Sequence, residues 1–404
     1  MRKWTILAIG FLMAIVGRVS AQETLTPPTA SSAPVMSDYT MSNDGPFAPT
    51  NQDYWVTADY LLGWIKGDHL PKLVTTSPTT VTDTTKAGVL GQPTTSVLLQ
   101  GLVNQDSRSG FRLGLGYVFD HDYGQAIEAG FIYLPGQESS FGFSSAQHPI
   151  LALPYTDVKV TPNVAAATLI AFPGLSTGSI NVEAKSGGFY GANLGLSERV
   201  WEENGLRLDA LLGYRFAAFN DSLHIGSHIN ELAPNPGTVI STIDQFKAQN
   251  VFNGLDMGAR TTFAWNNLSL GLLGKVAVGN LNRTVNINGS QVVTVAPAAP
   301  DVRSGGMYAL KSNIGRHNNS GVNLLPELGA NLSWQMRSNV ALRVGYSALF
   351  LNQIVRADDQ IDFKINPDLL SPATANSTPQ RPKFSEIHSD LWIQTLNLGV
   401  DFKF

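Results

Sequence analysis

The strongest constraint on the fold lies at the carboxyl end of the sequence. Trp392, Gln394, Leu396, Leu398, Val400, Phe402 and Phe404 alternate without a break with Ile393, Thr395, Asn397, Gly399, Asp401 and Lys403. Period two is the signature of a β-strand, whose successive side chains leave on opposite faces. One of these faces is mostly lipophilic and the other mixed, which fits lipid on one side and a polar lumen on the other. An aromatic last residue suits a terminal strand that pairs with the first and closes the sheet. Phe402 and Phe404 are therefore read as the barrel-closing signal.

The same alternation recurs in ten segments, at residues 54–65, 107–119, 125–135, 182–200, 206–219, 250–265, 268–279, 322–335, 340–354 and 391–404. Each is long enough to cross a bilayer as a tilted strand, which takes about 9–11 residues. Short spacers at 120–124, 201–205, 266–267 and 336–339 carry Asp, Asn, Gly and Glu, residues suited to tight turns. Long spacers at 66–106, 136–181, 220–249, 280–321 and 355–390 alternate with them. Short periplasmic turns opposite long outer loops are the expected asymmetry of an outer-membrane barrel. The reading is all-β: a closed antiparallel transmembrane barrel of ten strands.

Charge separates the two faces. Glu198, at a strand end, is the sole charged residue on the lipophilic parity. The other parity carries Asp59, Arg108, Arg112, Glu128, Arg207, Asp209, Arg215, Asp256, Arg260, Lys275, Glu327 and Arg343, with Arg199, Asp401 and Lys403 near strand ends. These are the candidate lumen charges. A lone Arg or Lys facing lipid near the midplane would cost about 2–4 kcal/mol. Aromatics on the lipophilic parity gather in two belts. Tyr54, Phe119, Phe263, Trp265, Trp334, Phe402 and Phe404 mark the turn end, and Trp64, Tyr133, Tyr190, Phe216, Phe350 and Trp392 the loop end. Such belts match interfacial girdles.

Two features strain this scheme. Pro326 removes a ladder hydrogen bond inside a strand, which predicts a bulge or shifted register. Residues 281–287 alternate on the parity opposite to 268–278. They are either an extension of that strand or part of an extra hairpin with 291–295, which would raise the count to twelve.

At the amino end, Arg2 and Lys3 precede an apolar run, Trp4 to Gly17, too short to span a bilayer comfortably. Val19-Ser20-Ala21 offers small residues of the kind a signal peptidase reads. Residues 1–21 are expected to be a cleaved signal, 22–52 a flexible Pro/Ser/Thr-rich lead-in, and 53–404 the barrel. Cysteine is absent, which excludes disulfides and thiolate metal sites. A net charge of −4 gives no argument for nucleic acid. Charged residues are 14% of the chain, against roughly 25% in soluble domains, as a large lipid-facing surface would produce.

The residues also resemble a known family. WVTADYLL from Trp55, GVLGQPTTSVLL from Gly88, SRSGFRLGLGYVFD from Ser107 and GGMYALKSNIG from Gly305 carry the likeness, with RVGYSALFLNQIVRADDQID from Arg343 and the ending NLGVDFKF from Asn397. Together they are similar to the large outer-membrane β-barrel family abundant in planctomycete bacteria, whose members have no settled molecular function. The resemblance implies location and architecture and supplies no catalytic residues.

Arginines and carboxylates on neighbouring strands are expected to form ladders that fill a narrow barrel, since open channels appear near sixteen to eighteen strands. If a pore existed, the basic excess would favour small anions. All seven histidines fall in expected loops or turns. His224 and His228 with Asp221 would approach a metal only if their loop formed a helical turn. His388 with Glu386 and Asp390 raises an outer-membrane hydrolase as a minor alternative, without a G-x-S-x-G motif to support it. The long loops include apolar stretches at 89–102, 141–154 and 361–370, expected to pack on one another or fold into the mouth. The reading is a porin-like or structural barrel with a narrow or loop-plugged pore, not an enzyme and without a cofactor. The alternative is a surface-binding or adhesion protein acting through its loops. Expected partners are outer-membrane lipid and, during biogenesis, periplasmic chaperones and the barrel-assembly machinery. The oligomeric state stays open.

Overall fold

The computed structural model describes residues 53–371, 374 and 376–404, so the expected signal and lead-in lie outside the described residues. Ten strands build a ring: β1 (Tyr54–Ile65), β2 (Arg108–Asp120), β3 (Gln125–Leu134), β4 (Ser176–Glu203), β5 (Leu206–Glu231), β6 (Thr238–Trp265), β7 (Leu268–Val295), β8 (Gly315–Arg337), β9 (Val340–Val355) and β10 (His388–Lys403). Each pairs antiparallel with its neighbours, and β10 returns to β1. At that seam the Phe404 amide donates to the Tyr54 carbonyl at 2.8 Å, and the Tyr54 amide to the Phe404 carbonyl at 3.2 Å. The tight turns use left-handed residues where expected: Asn204 and Gly205 have φ of +49° and +79°, and Asn266 +50°. Asn and Gly tolerate that region at little cost.

The lipophilic parity points outward. Leu398 is 63% exposed, Leu115 56% and Leu194 55%, whereas Asp59 on the opposite parity is 4% exposed. Rings pair across strands at both ends, Tyr54 with Tyr117 at 4.7 Å and Phe350 with Trp392 at 4.4 Å between centroids.

The ring is lopsided. β1, β2 and β3 have 12, 13 and 10 residues, and β9 and β10 have 16 each. The neighbouring strands β4 to β8 have 28, 26, 28, 28 and 23. About 9–11 residues suffice to cross the membrane, so half of the wall continues well beyond it. Residues 220–249 are therefore not the loop expected from the sequence: β5 and β6 stay paired from Asn220↔Gln249 to Asn230↔Val239. Residues 281–295 likewise continue β7 in register with β6, so the extra hairpin does not form and the ring has ten strands, not twelve.

The physical reason is a change of solvent. Inside the membrane, apolar residues face out toward lipid. Beyond it, water lies outside, and apolar residues must turn inward. On β7 the change is a switch of parity: Val278 is exposed, whereas Leu281, Val285 and Ile287 are buried. On β4 a bulge does the same work. Phe189 pairs with Phe219, but the next pair is Ser186 with Asp221, leaving Gly187 and Gly188 opposite Asn220. Val182 and Ala184, read from sequence as lipid-facing, are turned into the interior by that bulge. A Cβ on Gly187 would lie 2.0 Å from Asn220 Oδ1, so the close approach requires glycine there.

Pro326 causes neither bulge nor slip. It pairs in register with Val276, while the ladder to β9 begins one residue later, at Glu327↔Leu349. Its missing N–H coincides with the point where β8 becomes a free edge, the place a strand tolerates proline.

The segments leaving the short strands fill the space that the tall half-wall encloses. A second sheet of five strands, Asp68–Thr76, Ser96–Val103, Leu151–Asp157, Val164–Ala171 and Lys364–Ile365, forms there. Its core joins Leu73, Leu99, Leu151 and Ile365 to Val182, Ile225, Phe246 and Ile287 on the inner face of the wall. The apolar stretches expected to pack together therefore do so, as a folded cap.

Candidate functional site: a blind polar vestibule

Three zones follow one another along the barrel axis. Nearest the short turns is a cavity of about 640 Å³. Its lining starts at Trp55, Arg199, Gln335 and Lys403 by the turns. It ends against Ile132, Phe189, Leu349 and Ile393, which belong to a second, apolar zone with Leu61, Phe219, Phe252 and Leu325. Above this ceiling lies the third zone, a buried polar layer under the cap. The vestibule opens toward the turn side and is closed toward the cap.

The vestibule walls hold ion pairs between strands. Arg343 Nη2 lies 2.8 Å from Asp59 Oδ1, and its Nη1 lies 3.1 Å from Asp401 Oδ1. Arg260 grips Glu128 with two nitrogens at 3.0 and 2.6 Å, a bidentate pair. Arg207 donates to Asp209 at 2.7 Å along a single strand, β5. Arg215 bridges Glu327 and, at 3.5 Å, Asp256, which also takes Lys275 at 2.6 Å. Glycines let these groups lie flat against the wall: a Cβ on Gly399 would stand 1.9 Å from Asp59 Oδ1, and one on Gly345 1.9 Å from Asn331 Oδ1.

Arg112 differs. Its Nη2 donates to Ser347 Oγ at 2.9 Å, but the nearest carboxylate oxygen, on Glu327, is 4.0 Å away. Arg108 is not part of the vestibule at all. It sits above the ceiling, 2% exposed, and donates to the carbonyls of Pro135, Gly187 and Asn104 and to Ser186 Oγ.

The polar layer under the cap was not legible as a site in the sequence. Its centre is Arg356, directly after β9. Arg356 Nη2 lies 2.6 Å from Asp68, its Nε 3.2 Å from Asp221, and its Nη1 donates to the carbonyls of Lys66 and Gly67. Asp358 joins them, accepting from the His69 amide at 2.7 Å. The three carboxylates come within 4.8 Å of one another, a spacing able to hold a cation, but Arg356 already stands between two of them. Burial pushes the Asp358 carboxyl up to about 6, against the pull of Arg356. In the cap, burial likewise raises Asp244 to about 6, although the amides of Ala309, Met307 and Tyr308 donate to it. The signal that could have found Arg356 was the run Arg356-Ala357-Asp358-Asp359, four residues rich in charge just past an apolar strand.

The histidine readings change. His224 and His228 lie on a strand, not on a helical turn, and alternate with the inward Asp221, so the three do not converge. His388 contacts Glu386 at 2.7 Å, and Glu386 is held by Arg283 at 2.9 Å and Asn319 at 2.7 Å. That cluster pins the lead-in of β10 to the free edge of β8.

A family model described as "Putative beta barrel porin-7 (BBP7)" matches residues 55–404. No curated protein matches. Among solved structures, the outer membrane protease OmpT from Escherichia coli is 8% identical, with a TM-score of 0.39 over 88% of this chain and 98% of that one. A Pseudomonas aeruginosa FadL homologue is 10% identical, with a TM-score of 0.26 over 88% and 91%. The P. putida toluene transporter TodX is 10% identical, with a TM-score of 0.18 over 89% and 91%. Likenesses this distant carry no functional argument.

Proposed function

The chain belongs to the BBP7 beta-barrel porin family, and from that premise we propose that it is a porin-like outer-membrane barrel held shut toward the outside. The observation that carries this is the apolar ceiling. Leu61, Phe189, Phe219, Phe252 and Leu325 are each 0–1% exposed and cross the lumen above a polar vestibule. Ions do not pass a dry, packed apolar layer, because nothing there replaces their hydration. The ion pairs below it act as braces between strands, and the cap is a folded lid. Reconstituted in planar bilayers, the protein is expected to give no steady single-channel steps. Replacing Phe189, Phe219 and Phe252 with Ala is expected to produce them. Steady steps from the unaltered protein would overturn the reading.

The same reading covers the protein's biogenesis. Residues 1–21 are a secretory signal removed on export. Periplasmic chaperones and the assembly machinery deliver the chain, with Phe402 and Phe404 read as its closing strand. The protein is not an enzyme, and the charges in its lumen are structural rather than catalytic. A second reading draws on the cap, whose separate apolar core marks it as a folded unit able to present a recognition surface. Cap-dependent binding of a surface ligand without conductance would favour it.

A further inference from the structure

The vestibule has one guanidinium fork with no carboxylate closer than 4.0 Å. Eight cationic side chains line it, among them Arg112, Arg343 and Lys403, against six carboxylates. Asp256, just behind the wall, neutralises one more through Lys275 and Arg215. One positive charge remains in excess. Among the described residues Lys403, near the turns, makes no ion pair and shares that excess; among the arginines it falls on Arg112. Arg199, Arg207, Arg260 and Arg343 each meet a carboxylate within 3.1 Å, whereas the closest to Arg112 is 4.0 Å off. Among the described residues Arg112 makes a single hydrogen bond, from Nη2 to Ser347 Oγ. Its Nε and Nη1 have no protein acceptor, and the side chain lines the cavity.

The surroundings of that fork are neutral and polar. Asn331 lines the same cavity; its Oδ1 is buried against Gly345, which leaves its Nδ2 as the carboxamide group without a protein partner among the described residues. Ser347 is engaged with Thr395 at 2.7 Å. Near the mouth, Trp55 lies over Gly116, where a Cβ would come 1.9 Å from the ring, so its flat face is held at the wall. A guanidinium fork matches a carboxylate or phosphate in two parallel hydrogen bonds. A carboxamide NH2 donates to a hydroxyl oxygen. The cavity volume falls within the range of about 300–1,000 Å³ usual for small-molecule sites.

We propose that the vestibule is a binding site for a small hydroxylated organic anion, a sugar acid or sugar phosphate, taken up from the periplasmic side. Arg112 anchors the oxyanion and Asn331 donates from Nδ2 to a hydroxyl oxygen. The ceiling above makes this a site of capture at the inner face rather than a passage. The inference rests on the closed-barrel reading for its direction of access. Channel steps in the bilayer experiment would break that reading alone, whereas absence of the Arg112 dependence tested below would break the inference alone.

The test is equilibrium dialysis of the full chain in detergent with labelled gluconate and glucose 6-phosphate, with glucose and inorganic phosphate as partial probes. Saturable binding is expected for gluconate or glucose 6-phosphate, at least tenfold tighter than for glucose. Arg112→Gln is expected to weaken it at least tenfold, and Asn331→Leu to weaken gluconate while leaving inorganic phosphate unchanged. In the unaltered protein, gluconate should shield Arg112 from phenylglyoxal, read by mass spectrometry, which keeps the test sharp even if a variant does not fold. Equal affinity in Arg112→Gln, unchanged labelling of Arg112, or saturable binding of inorganic phosphate alone would each overturn the proposal.

Discussion

Arg343 and Arg356 are the same device in two solvents. Each is a guanidinium set between two aspartates: Arg343 between Asp59 at 2.8 Å and Asp401 at 3.1 Å, Arg356 between Asp68 at 2.6 Å and Asp221 at 3.2 Å. The side chain of Arg343 is 16% exposed and borders the vestibule, while that of Arg356 is 2% exposed and dry. In water a broken pair is re-solvated at modest cost. In a dry interior the surviving charges have no substitute partner. The lower pair is therefore a brace that tolerates change. The upper pair is a latch tying β1's exit, β5 and β9's exit into one cap.

The largest test of that contrast is to remove each arginine. Arg356→Ala is expected to cost about 3–5 kcal/mol, the usual penalty for orphaning a buried charge. Arg343→Ala is expected to cost roughly 1–3 kcal/mol, the desolvation penalty of a single unmatched partner. Urea titration in detergent, followed by protease cleavage of the cap and by heat-modifiable migration of the barrel, measures both. Equal losses would erase the distinction between brace and latch.

A second test contrasts the barrel's outer face with its inner one. Leu398→Arg puts a charge on the lipid face and is expected to cost about 2–4 kcal/mol in vesicle refolding. Thr57→Arg, on the lumen side where residue 57 lines the vestibule opposite Asp401, should cost clearly less. The reverse order would mean the parity is misassigned.

A third sharpens how the braces are packed. Gly399→Ala places a methyl 1.9 Å from Asp59 Oδ1 and must displace the Asp59–Arg343 pair. Overpacking of this kind costs about 1–3 kcal/mol. No change in the midpoint of unfolding would show that the pair is free to move.

The smallest effect is on pH. Asp358 and Asp244 stand at about 6 in the folded cap, above their ordinary 3.8. Between those values the folded cap holds protons that the unfolded chain has released. Their contribution to cap stability is thus present at low pH and lost as pH rises through about 6. Cap cleavage in urea at pH 5 and pH 7.5 should differ in that direction. An opposite sign would mean that the acceptor bonds, not burial, govern these two groups.

Much of the transmembrane wall could be read from the residues, because lipid imposes one rule on every second position and the turns carry their own chemistry. β1 matches its segment residue for residue, and β2, β3, β9 and β10 match to within one to three residues. The rule fails where the membrane ends. β7 runs on past Val278 as a strand, but its apolar side is reversed, so alternation alone could be taken for a new hairpin. The vestibule residues were legible as one inward face, yet their partners were not, since Arg260–Glu128 and Arg343–Asp59 join strands 132 and 284 residues apart.

What the sequence by itself determined is the solvent on each side of the wall, because burial preference acts residue by residue and repeats with the pleat. What only the tertiary structure decided is where the lumen closes and which vestibule arginine has no carboxylate closer than 4.0 Å. Those depend on distances between side chains from remote strands, and on segments from β1, β3 and β9 meeting over the barrel. No local pattern encodes such a meeting. Arg108 and Arg112 share a strand and a face, and four residues separate an arginine caged by carbonyls above the ceiling from one left facing the cavity below it.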